Sequence, residues 1–171
     1  MLTPGVLMAG LALLGVVSDA NAMRAVGKPS GGLQAAITVV PEAAAGQPVP
    51  VGLEVCNVSE RPILIDNWIG NWFVDVELAD GSKVMPIRSA TRLRTPVAAP
   101  EFLPPGLCWT TALSDLCLVS ALPGSTPDWR YEPLSPGAYS LRAVFESRYV
   151  GDYILAWTGR ATSGAGHVVV K

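Results

Sequence analysis

A chain of 171 residues accommodates one domain, and two would be cramped. Half of its residues are apolar and 15% are charged, against a usual ~25% charged. That excludes a disordered polymer and leaves enough apolar side chain for a full core. The formal net charge of −2 gives no general attraction to nucleic acid or to an anionic membrane.

The first element along the chain is an apolar run at residues 6–17 (VLMAGLALLGVV), followed by Ser18, Asp19 and Ala20-Asn21-Ala22. Small residues at −3 and −1 are what signal peptidase requires, so the pattern predicts a secretory signal peptide over residues 1–22 with cleavage after Ala22. The run is too short for a membrane span, which needs about 20 residues. No stable membrane insertion is therefore expected after cleavage, and the compartment is secreted or periplasmic. Residues 23–32 (MRAVGKPSGG) read as a flexible lead-in, and residues 33–171 as the domain.

The rest of the chain has the periodicity of strands. Residues 33–40 supply the first. Val49, Val51, Leu53 and Val55 alternate with Pro50, Gly52, Glu54 and Cys56, giving one buried face. Residues 57–62 (NVSERP) form a turn, and Ile63-Leu64-Ile65 opens the next strand. Residues 72–78 alternate again, with Asp75 and Glu77 on the wet face. Asp80-Gly81 centres a hairpin turn, and Pro86 confines the return strand at residues 83–87 to an edge. Pro104-Pro105-Gly106 is a tight turn. Tyr139, Leu141, Ala143 and Phe145 share a face, Val150-Gly151-Asp152 turns the chain, and residues 167–170 (HVVV) end it. The glycine-broken stretch at Ser163-Gly164-Ala165-Gly166 predicts a bulge.

This spacing predicts an all-β sandwich or barrel of seven to nine antiparallel strands. A parallel sheet would need intervening helices, for which the 17 Gly and 15 Pro leave little room. In an oxidising compartment three cysteines predict one disulfide and one leftover thiol. Of the three pairings, Cys108–Cys117 is expected because the two lie nine apart across a turn at Ser114-Asp115. Cys56 is then the leftover thiol.

Two local patterns resemble bacterial immunoglobulin-like modules. Gly46-Gln47-Pro48-Val49, followed by Val51-Gly52-Leu53-Glu54-Val55 and Asn57, is similar to their first corner and strand B. Leu134-Ser135-Pro136-Gly137-Ala138-Tyr139 is similar to their approach to strand F. The resemblance implies an immunoglobulin-like sandwich in which Tyr139 makes a tyrosine corner, its hydroxyl bonding back to upstream backbone. The wider order of strand, Asn-x-Ser turn, Asp-Gly hairpin, Leu-Pro-Pro-Gly and Leu-Ser-Pro-Gly-x-Tyr is weakly similar to the BsuPI-type intracellular proteinase inhibitor domain. That likeness implies inhibition through a rigid loop, with residues 89–101 and 122–131 as the loops to consider.

No residue pattern points to an enzyme or a cofactor. His167 is the only histidine; no G-x-S-x-G is present, and the cysteine spacing is not that of a zinc site. The candidate binding residues fall in two places. Trp68, Asn71 and Trp72 lie among Asn, Asp and Gly, as in surfaces that stack sugar rings, although a sandwich core also buries a Trp on strand C. Arg88, Arg92 and Arg94 gather in a loop suited to an acidic partner. The expected function is a non-enzymatic interaction module for an unknown protein or glycan.

Overall fold

The computed structural model of the protein describes residues 21–66, 69–88, 100–119, 129–147 and 156–171. The strand patterns condense into two large sheets and two small two-stranded ones. The first contains β1 (Met23–Val26), β2 (Leu33–Val39), β4 (Val51–Asn57) and β9 (Cys108–Leu113), in that order. The second is built on β11 (Gly137–Ser147). It is flanked on one side by β6 (Trp72–Leu78), and on the other by β12 (Gly159–Thr162) and β13 (Gly166–Val170). Sheet order is therefore that of an immunoglobulin-like sandwich, strands A-B-E facing C-F-G. After β2 the chain crosses over as β3 (Glu42–Ala43) and pairs in parallel with β13. This one parallel pairing departs from the all-antiparallel expectation. The described residues hold thirteen extended segments. The count passes nine because seven of them are pieces of two to four residues: β1, β3, β5 (Ile63–Ile65), β7 (Ile87–Arg88), β8 (Glu101–Leu103), β10 (Trp129–Arg130) and β12.

Alternation decides what is inside. Leu33, Ala35, Ile37 and Val39 of β2 meet Val51, Leu53 and Val55 of β4. Across the sandwich they face Trp72, Val74 and Val76 of β6 and Tyr139, Leu141, Ala143 and Phe145 of β11. The predicted faces of both long strands are thus the buried ones. Phe73 and Val144 sit opposite each other on the outer face, yet both are buried. The Arg160 guanidinium lies 5.2 Å above the Phe73 ring.

The bulge falls where the glycines predict it. Between the pairs Val144↔Thr162 and Leu141↔Gly166, two residues of β11 face three of the partner strand. Ser163 repairs the ladder: its N–H donates to Ala143 O (2.8 Å) and its hydroxyl accepts from Ala143 N (2.9 Å). A Cβ on Gly164 would come within 2.8 Å of Val26 O, so β1 crosses closely there. The expected flexible lead-in is corrected on this point. Residues 23–26 are β1, hydrogen-bonded to β2 in the register Met23↔Val39.

Tyr139 makes the expected corner, its hydroxyl donating to Ser135 O at 2.8 Å. The expected disulfide is replaced. Cys56 bonds Cys108, and Cys117 is the free thiol. The reason is register: Cys56 and Cys108 lie directly opposite on β4 and β9, whereas Cys117 follows the far end of β9, about 20 Å along the strand.

Candidate functional site

The site begins with one amide. Asn57 ends β4 with no exposed surface, and a buried amide must find partners for every polar atom. Its two amide hydrogens go to Arg61 O (2.7 Å) and Leu103 O (2.8 Å). Its Oδ1 accepts from the Ser59 N–H (2.9 Å) and hydroxyl (2.7 Å). Its backbone N–H donates to Leu107 O and its carbonyl accepts from Gly106 N. Asn57-Val58-Ser59 matches the N-glycosylation pattern, but an Nδ2 buried and twice donated is structural and closed to a glycan.

Three segments are thereby clamped together: the turn after β4, the end of β8, and the Pro-Pro-Gly turn before β9. Each carries an exposed apolar side chain, Val58 at 47%, Phe102 at 67% and Leu107 at 56%. Pro104 and Pro105 are exposed between the last two. From Phe102 to Leu107 no residue is charged, while Glu60, Arg61 and Glu101 stand at the margin. Single exposed apolar residues are ordinary, but here three stand on segments tied to one buried amide. The turn is stiff because two prolines fix its φ angles, Leu107 N–H bonds Pro104 O, and Gly106 takes the positive φ of +73° that the turn requires.

An aromatic row underlies this end. Trp109 of β9 stacks on Trp72 of β6 at 6.3 Å between centroids, Trp72 tilts against Phe145 at 5.1 Å, and Phe145 stacks on Trp157 at 5.9 Å. The Trp157 indole N–H donates to Gly31 O at 3.0 Å, tying the segment before β12 to the one before β2. On the outer face of the first sheet, beside the same end, lies the Cys56–Cys108 disulfide. Glu54 Oε1 is 3.4 Å from Cys56 Sγ, and Arg24 is ion-paired to Glu54.

The sequence-predicted binding residues do not assemble into one surface. Trp72 is buried in the core, so it is corrected from a ligand-stacking ring to the strand-C tryptophan. Asn71 donates its amide to Asp66 O at 2.7 Å and serves the local turn. Trp68 lies outside the described residues. Arg88 is exposed on β7, opposite Trp129 of β10, and Arg92 and Arg94 lie outside the described residues. Cys117 is no reactive thiol: burial, then the Asp115 carboxylate, push it up to about 11. His167 sits on the open face of β13 beside Ser140, whose other cross-strand neighbour is Glu77. The carboxylate is thus on the serine's side and salt-bridged to Arg142 at 3.1 Å, where it cannot orient the imidazole as a triad requires.

Sequence reasoning missed the apolar end. Its signal was available in Phe102-Leu103-Pro104-Pro105-Gly106-Leu107, an uncharged stretch around a turn. What was not available is that Val58, more than 40 residues upstream, joins it. No protein-family model matches the chain, and no curated protein or solved structure matches it.

Proposed function

We propose that this protein is an exported, non-enzymatic interaction module that binds a protein partner with the end of the sandwich organised by Asn57. The observation that carries this reading is the rigid apolar surface of Val58, Phe102 and Leu107, held on three segments by one buried amide. A surface already fixed in its bound shape loses little entropy on association.

The path of the chain agrees with this orientation. β1 begins at Met23, next to the predicted cleavage point, and Met23 pairs with Val39 at the opposite end of the sheet. Lys171 N–H bonds Ala43 O at that same opposite end. Met23 and Lys171 therefore both lie at the end of the sandwich opposite Asn57, and neither stands beside the apolar surface. Among the described residues no helix is long and apolar enough to cross a membrane.

A Val58→Asp/Phe102→Asp double variant tests the reading. Neither side chain is in the core, so far-UV circular dichroism and the unfolding midpoint should be unchanged. Envelope or medium proteins retained by the wild-type chain should be lost by the variant. Identical retained sets from both chains overturn the assignment.

A further inference from the structure

Among the described residues no strand pairs with the outer edge of β9, and the residues of that edge say what fits it. Because Asn57 N–H donates to Leu107 O at 2.9 Å, the hydrogen-bonded pairs of the β4–β9 ladder are Val55↔Trp109, Leu53↔Thr111 and Val51↔Leu113. The N–H and C=O groups of Cys108, Thr110 and Ala112 therefore point away from β4. Among the described residues, nothing engages them.

Edge strands are normally guarded by charge, proline, bulges or brevity, and the other edges here are. The β6 edge is folded over by the return of the chain, with Val84 N–H on Val76 O and a bridge from Glu77 to Lys83. β1 is short and carries Arg24, β3 has two residues and β8 three. β9 has six residues, Cys-Trp-Thr-Thr-Ala-Leu, without a charge, a proline or a glycine.

We propose that β9 pairs antiparallel with β9 of a second copy of this chain around a two-fold axis at Thr110. In that register Cys108 faces the partner's Ala112, Thr110 faces the partner's Thr110, and all outward-pointing groups are satisfied by about six backbone hydrogen bonds. No like charges meet, since the strand has none. Leu107, exposed at 56%, comes opposite the partner's Leu113, and half-buried Trp109 comes opposite the partner's Thr111. The two four-stranded sheets become one of eight strands, and the Asn57 ends point in opposite directions. A six-residue edge covers less than the ~800 Å² per partner of a standard interface. The pairing is therefore reversible, with a Kd on the order of 10–100 µM. This surface shares Leu107 with the apolar end but neither Val58 nor Phe102, and the Thr110 variants alter none of the three, so the two tests are independent.

Sedimentation velocity of the full chain from about 1 µM to about 500 µM should show a monomer passing to a dimer. Thr110→Lys and Thr110→Glu each place like charges at the axis, and each alone should weaken dimerisation at least tenfold. An equimolar mixture of the two should restore it. Thr110 is exposed and stands opposite Glu54 of β4, so thermal unfolding at 1 µM, where all chains are monomeric, should move only slightly, up for Lys and down for Glu, and both variants should remain folded. A monomer at every concentration overturns the proposal. So does a wild-type dimer indifferent to Thr110→Lys, or a Lys/Glu mixture that stays monomeric.

Discussion

Asn57 carries more of this structure than any other polar side chain described, because its side chain and backbone together reach Ser59, Arg61, Leu103, Gly106 and Leu107. Replacing it by Ala leaves the buried Leu103 carbonyl and the Ser59 N–H without their partners, leaves Arg61 O only the Ser59 hydroxyl, and frees the three segments. We expect Asn57→Ala to lower stability by about 3 kcal/mol, given 1–3 kcal/mol for each buried group left unsatisfied, as read by urea denaturation. Partner retention should fall with it. Tyr139 was legible in the sequence because its corner is local, four residues from Ser135. Asn57 was legible only as a turn residue. Its amide partner Leu103 lies 46 positions away, and no spacing rule reaches that far. Trp72 was ambiguous for a different reason. Asn and Gly neighbours suit both a sugar-binding loop and the short helical turn (Ile69–Asn71) that delivers a tryptophan into the core.

At the scale of elements, β4 and β9 are joined by a ladder and by the Cys56–Cys108 bond. The bond closes a loop of 52 residues, which in the chain-entropy description constrains the unfolded chain by about 4 kcal/mol. A Cys56→Ser/Cys108→Ser variant should lose close to that amount in denaturant titration. Reductant should destabilise the wild-type chain and leave the variant where it is. A Cys117→Ser variant should respond to reductant as the wild type does. The mispaired expectation shows where sequence reading stops. Nearness along the chain favoured Cys117, but pairing is decided by which residues stand opposite in a sheet, and register is a property of two strands at once. The Ser163–Gly166 bulge was legible because the interruption and its cause lie in the same four residues.

For the molecule as a whole, alkaline pH tests the packing. Burial pushes the Cys117 thiol from about 9 up to about 11 and the Tyr131 phenol from about 10 up to about 12. Tyr131 also donates its hydroxyl to Val74 O at 3.0 Å. Both folded values lie above the unfolded ones, so the neutral groups contribute stability that is full below about pH 9. It is lost as pH rises toward 11 and 12. The urea midpoint should fall over that range, and Cys117→Ser should flatten the lower part of the fall. The two-layer class was legible from alternation and from short, turn-bounded strands. The crossing of β3 to the second sheet and the small paired pieces β5–β8 and β7–β10 were not, being too short to carry a period.

The arrangement of chain path and apolar end has a practical side. Because Met23 and Lys171 lie together at one end, an affinity handle or chip linkage at either position would fix every molecule the same way up. Val58 and Phe102 would then face the analyte. Random coupling through lysines would not do this: Lys28 and Lys83 belong to different parts of the surface, and some molecules would land with their apolar end against the support.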